Sequence, residues 1–437
     1  MFDVKHILKV ILLVLFICLS GCSTNNSTAE QTLDETEKQS LTIELLSINF
    51  LAGNSHHLLG QKIERWAEAH PNVSVTIQWK LNSFAQTSNS TWDKNKEPSA
   101  LYKDTAEVPD IVELVPNQMR DLYNLGKIEP LNIKESALDD FVITSNDGHV
   151  LGVKSKINPM VLYYNQEIFQ SLGLQSPTRL WDASQLGDAV TRLKSAGYDV
   201  YIPISPYTLE WAVSLFGGRI VAADGTTFNG YLDSDDAVGG AEWLASFDTN
   251  MDREWKGETL APMPYDLLDG KYALAVEYAY GFNAGATNSY EAIVQANGEV
   301  GVAALPAGTN GINPALVSGL SITSKSTHQA LAMQLLRDLT SDKESLYSDI
   351  AMQTAEANEN RLDEPADEER KALILDEIKR SVPATLHMHE YNAKVFFSMI
   401  RAGNPSPLKD IRNHLPIREA LKRYASQMEE SFGTTNH

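Results

Sequence analysis

Cysteine is nearly absent: there are two in 437 residues. Cys18 falls inside an apolar run near the N-terminus, so a chain cleaved after that run keeps Cys22 alone and forms no internal disulfide. Positive charge is also in short supply, with 36 Lys and Arg against 57 Asp and Glu and a formal net charge of −21. Phosphate backbones are bound by basic surfaces, so this balance argues against nucleic acid as a partner. The apolar run itself, Val10 to Leu19, is too short to span a bilayer as a helix. G-x-S-x-G, H-E-x-x-H, phosphate-loop and paired-Cys metal motifs are all missing. His56 and His57 are adjacent with no third ligand at a suggestive spacing, and His387 and His389 flank Met388 in a helical region, pointing to different faces. They read as structural or solvated, and neither metal nor cofactor is expected. Carboxylates are so plentiful that a glycan-cleaving pair is not excluded by counting.

What is present begins at the N-terminus. Lys5, His6 and Lys9 precede the apolar run, and Leu19-Ser20-Gly21-Cys22 follows it, the pattern of a secretory signal over residues 1–21. Leu-Ser-Gly-Cys resembles a bacterial lipobox, in which the Cys is lipidated and becomes the first residue; an ordinary signal with a chance Cys is the plainer alternative. Acyl chains on Cys22 hold a body to a membrane at about 0.8 kcal/mol per buried CH₂. Residues 22–40 are polar, lack apolar periodicity and read as a flexible tether.

The remaining length calls for two lobes, each with its own core. Leu41 to Ile48 reads as a strand, Leu58 to Ala67 as a helix stopped by Pro71, and Val73, Val75, Ile77 and Trp79 as a second strand. Strand, helix, strand opens an α/β lobe with a largely parallel sheet. Val150 to Val153 and Met160 to Tyr164 read as strands, followed by helices closed by Gly173 and Gly197. Tyr201 to Ile204 is a strand leading into Ser205-Pro206-Tyr207, with a helix beginning at Trp211. Asp233 to Phe247 and Gln329 to Leu339 have helical spacing, and the tail from Ile374 to Phe432 is helical by periodicity.

Several spaced elements agree in order with one family. Gly148 and Gly152, Leu162-Tyr163-Tyr164-Asn165, Leu172-Gly173-Leu174 and Pro177-Thr178 with Trp181 resemble the extracellular solute-binding proteins of ABC importers, in particular the sugar-binding, maltose-binding-protein-like family. Pro109-Asp110-Ile111-Val112, Gly126 to Leu131 and Leu267 to Val276 match further motifs of that family. The resemblance implies a two-lobed α/β periplasmic-binding-protein fold (type II-like), each lobe a sheet flanked by helices. Hinge crossings are expected near 151–157, 307–317 and 350–360. The N-terminal lobe takes 41–152 plus 308–352, and the C-terminal lobe 153–307 plus 353–437. Val300 to Pro306 and Gly319 to Ser324 read as the strands that cross back to the first lobe.

Sugar sites pair stacking rings with carboxylates and amides. By position within the family's motifs, the second lobe offers Tyr207 and Trp211, Tyr280 and Phe282, and Tyr391 or Phe396. The crossing run offers Asn158, and the first lobe offers Asn49, Glu113 and Asn117. A Trp one turn into a helix is more often core than ligand, and a Glu such as Glu113 often caps a helix or pairs with a Lys. Leu114 stands where some maltodextrin binders stack a ring, so maltose itself is not implied. The resemblance implies a monomeric, lipid-anchored binder that captures a small-molecule solute, a carbohydrate first, and delivers it to membrane permease subunits. A non-sugar solute, such as a polyol phosphate or peptide-like compound, and a secreted glycan-cleaving enzyme are the alternatives.

Overall fold

Alternating apolar residues build the first sheet outward from its centre. A computed structural model describes residues 38–47, 58–81, 108–133, 141–145, 147–222, 227–247, 272–279, 300–341, 365–384 and 416–435. The first-sheet strands are β1 (Gln39–Ser47), β2 (Val73–Leu81), β3 (Ile111–Leu114), β4 (Ile128–Glu129), β5 (Val142–Thr144), β6 (Val150–Asn158), β11 (Pro314–Thr323) and β12 (Val382–Pro383). Their order is β2-β1-β3-β11-β6-β5, with β4 and β12 also paired to β11. On β1, Leu41, Ile43 and Leu45 are buried, whereas edge strand β2 only half-buries Val73, Val75, Ile77 and Trp79 and exposes the residues between them. The helices here are α1 (Leu58–Ala69), α2 (Pro116–Asn124) and α7 (Gln329–Leu339). α1 buries Leu59, Ile63 and Trp66, and the Trp66 indole donates to Asp338 on α7 at 2.8 Å.

A second sheet has the order β10-β7-β9-β8, from β7 (Met160–Asn165), β8 (Asp199–Tyr201), β9 (Tyr272–Tyr278) and β10 (Val300–Ala304). Around it lie α3 (Gln166–Ser171), α4 (Ala183–Ser195), α5 (Pro206–Leu215), α6 (Asp235–Ala245), α8 (Pro365–Arg380) and α9 (Ile417–Thr435). Local chemistry sets the helix starts: the side chains of Asn165, Asp182, Ser205 and Ser234 accept from the backbone N–H three residues on. Gly173 and Gly197, at φ +58° and +90°, occupy the left-handed positions that follow α3 and α4. Leu162, Phe169, Leu186, Trp211, Phe228 and Leu244 share this lobe's core.

Three sequence expectations are corrected. The first sheet is mixed: β1, β2 and β3 run parallel, but β11 is antiparallel to β3 and β6. Val300–Ala304 does not cross; it pairs antiparallel with β7 in the second sheet, and the passage is the stretch 305–313 leading to β11. The tail is not continuously helical, because Val382 and Pro383 pair with Pro314 and Ala315 just after α8. Residues 153–158 belong to β6 in the first sheet, so Pro159 is the residue between the sheets. The crossing expected near 350–360 lies outside the described residues. Both sheets belong to one compact unit, Thr36–His437.

Candidate functional site

Strand direction locates the site. β6 ends at Asn158, beside the passage to the second sheet, and Asn158 pairs with Leu316 at the start of β11. Leu114, the last residue of β3, pairs with Gly319, so the carboxyl ends of β3 and its parallel neighbour β1 point toward that passage. In the second sheet Met160 pairs with Tyr278 and Ala304 with Val161, so β9 and β10 also end there, as does β8, parallel to β9. Both sheets therefore aim strand carboxyl ends at the junction. Parallel α/β sheets bind ligands outside those ends, at the point where strand order reverses; here that point is between β1 and β3.

On the first-lobe side a buried carboxylate fills the gap between those strands. The β1–β3 ladder pairs Ile43 with Ile111 and Glu44 with Val112 and goes no further. Beyond it, Glu113 Oε2 accepts from the Leu46 N–H at 2.8 Å, and Lys156 Nζ donates to the Leu46 carbonyl at 2.7 Å and to Glu113 Oε2 at 3.1 Å. Glu113 Oε1 accepts from Ser155 Oγ on β6 and Ser318 Oγ on β11, each at 2.7 Å. The Glu113 side chain is 0% exposed and that of Lys156 is 11% exposed. Removing one partner of such a pair costs about 3–5 kcal/mol, since a charge is left buried alone.

On the second-lobe side, phenols and carboxylates gather at the strand ends. The rings of Tyr207 and Tyr278 meet edge to face with centroids 5.5 Å apart. Glu210 lies one helical turn after Tyr207, and Glu277 precedes Tyr278 on β9. Burial pushes the Tyr207 hydroxyl well above its ordinary range, and the charge of Glu210 adds to that. Tyr278 is raised for the same first reason, with Tyr207, Glu210 and Glu277 contributing. Between the lobes, Asn313 donates to the Met160 carbonyl at 2.7 Å and to Glu377 at 2.6 Å, while its own amide oxygen accepts from the Met160 N–H.

The candidates separate accordingly. Tyr207 and Asn158 stand at the junction, and Asn117 is the second residue of α2, just past the end of β3. Glu113 is there too, as a fully buried anchor for four strands. Trp211 is corrected to a core residue: it is 0% exposed, its indole donates to the Pro306 carbonyl at 2.7 Å and its ring packs on Trp243, so no face is offered. Asn49, Tyr280, Phe282, Tyr391 and Phe396 lie outside the described residues, as do Cys22, His56, His57, His387 and His389. Sequence reasoning missed Lys156, Ser155, Ser318, Glu210 and Tyr278. Glu210 carried a signal, a lone charge in the apolar run from Tyr207 to Leu215; the others carried none. Among the described residues no group of His, Cys, Asp and Glu is placed to hold a metal ion.

Residues 61–365, more than half of the chain, match the model of the bacterial extracellular solute-binding protein family. The chain belongs to that family. Members of this solute-binding family are exported binding proteins, and among the described residues no helix is long and apolar enough to cross a membrane. No curated protein matches the sequence significantly. Solved structures agree in fold. The sugar-binding protein MalE of Xanthomonas citri has a TM-score of 0.68 at 14% identity, covering 91% of this chain and 98% of that one. A Staphylococcus aureus extracellular solute-binding protein in complex with maltose has 0.64 at 16%, covering 91% and 99%. The Listeria monocytogenes protein Lmo0181 in complex with cycloalternan has 0.63 at 17%, covering 91% and 100%. These likenesses establish the two-lobed solute-binding fold, each lobe a sheet flanked by helices.

Proposed function

We propose that this solute-binding protein captures a sugar or oligosaccharide between its lobes and delivers it to the membrane permease of an ABC importer, held at the membrane by lipid on Cys22. The observation that carries the reading is the convergence of strand carboxyl ends from both sheets on one junction, with phenols and carboxylates on one side of it. The sugar-bound neighbours support the solute class. Ligand contacts to both lobes stabilise the closed arrangement over the open one. In this reading Asn158, Asn117 and Tyr207 are proposed as contacts to it, together with Asn49, Tyr280, Phe282 and Tyr391.

The test is a melting-shift screen of mono- and oligosaccharides, with product analysis of the same mixtures. A true ligand at a hundredfold excess over its Kd stabilises by about 2.7 kcal/mol. Saturable stabilisation without turnover, with a smaller radius of gyration in scattering, is expected. Released product would favour the enzyme alternative. Indifference to every saccharide, with a response to polyol phosphates or peptides, would favour a different solute.

A further inference from the structure

The peptide of Leu46 is held in an unusual way. In a parallel ladder one residue's N–H and C=O face the same neighbour, and alternate residues face alternate neighbours. On β1 those facing β3 are Thr42, Glu44 and Leu46. Thr42 exchanges bonds with Asp110, through its carboxylate and its N–H, at 2.8 and 2.7 Å. The ladder with β3 ends at Glu44; at Leu46 the side chains of Glu113 and Lys156 take the N–H and the carbonyl. These groups sit where the two strands part, at the carboxyl end of the switch point. The Lys156 side chain comes from β6 and the Ser318 hydroxyl from β11, the two strands that continue into the other lobe.

We propose that Lys156 is a positioning residue for solute capture: with Glu113 it fixes the Leu46 peptide, and through it the exit of β1 at the crevice floor, to the strands that lead into the second lobe. Movement of β6 or β11 on closure is thereby felt at the floor of the site. The affinity part of this claim rests on the reading that solute binds between the lobes; the structural part does not.

Three variants of the full-length chain test it: K156M, K156R and E113Q/K156M. Hydrogen exchange over residues 40–47 is read without ligand, and affinity is read with whichever saccharide the screen identifies. K156M is expected to speed exchange at the end of β1 and to weaken binding about five- to hundredfold, the range of a coupling between sites. K156R, which keeps the donors and the charge, restores both in large part. E113Q/K156M leaves no buried unpaired charge, so it regains melting temperature; the Leu46 carbonyl still lacks its ammonium, so fast exchange and weak binding persist. Wild-type exchange in K156M, or full recovery of exchange and affinity in the double variant, overturns the proposal and leaves a purely structural ion pair. If no saccharide binds the wild type, the sugar reading fails and the exchange comparison alone decides this one.

Discussion

Glu377 shows what one buried carboxyl does at the junction. Its Oε2 accepts from the Asn313 amide at 2.6 Å and its Oε1 from Arg179 at 3.3 Å. Burial pushes its pKa above the ordinary 4.5, against the pull of Asn313 and Arg179, and neighbouring Asp376 adds to the rise. The folded state therefore holds this proton more tightly than the unfolded chain does. Its contribution to stability is complete below pH 4.5 and declines as pH rises through the higher folded value. Melting wild type and E377Q side by side from acid to neutral pH checks this. The stability difference, wild type minus variant, should shrink as pH rises, whatever the other carboxyls do to both. A constant or widening difference would reject it. At this scale little of the site is legible in the sequence. Glu113 is identified as a candidate from the residues after Pro109-Asp110, but its partners Ser155 and Ser318 lie 42 and 205 residues away, and no local pattern reports such contacts.

Among the elements, α5 is the exception that explains the rest. Pro206 to Ser214 are all buried, so the helix has no apolar stripe for periodicity to detect. Its start is written instead in the cap: Ser205 accepts from the Thr208 N–H, with Pro206 in the first turn. α7 is the opposite case. Leu331, Ala332, Leu335 and Leu336 form one buried face, and spacing alone delimits Gln329–Leu339. The mixed direction of the first sheet is not legible from strand patterns, because pairing partners are set by the late strand β11. α5 and α6 touch backbone to backbone at Gly240, where an added Cβ would lie 2.6 Å from Val213 Cα and 2.7 Å from its nitrogen. Main chain cannot rotate aside, so Gly240→Ala should destabilise by about 1–3 kcal/mol. Denaturant unfolding reads the change as a lower midpoint at unchanged slope, and an unaltered midpoint would show that the helices separate freely.

For the whole molecule, the proposed lipid anchor makes location hang on Cys22 of Leu19-Ser20-Gly21-Cys22. Cys22→Ser should move the protein from the membrane fraction of its cell to the soluble extracytoplasmic fraction, with sugar-induced stabilisation unchanged. Equal fractionation of both forms would remove the anchor from the proposal. The chain's path has another consequence. β11 is hydrogen-bonded to β3, β6, β4 and β12, yet its residues are 314–323. A nascent polypeptide that has reached only residue 300 thus carries β3 and β6 with no strand between them. Loop closure over such spans is slow, which delays compaction until most of the polypeptide has been made. That delay suits a member of an exported family, since late compaction keeps the chain open for longer while it is still being made.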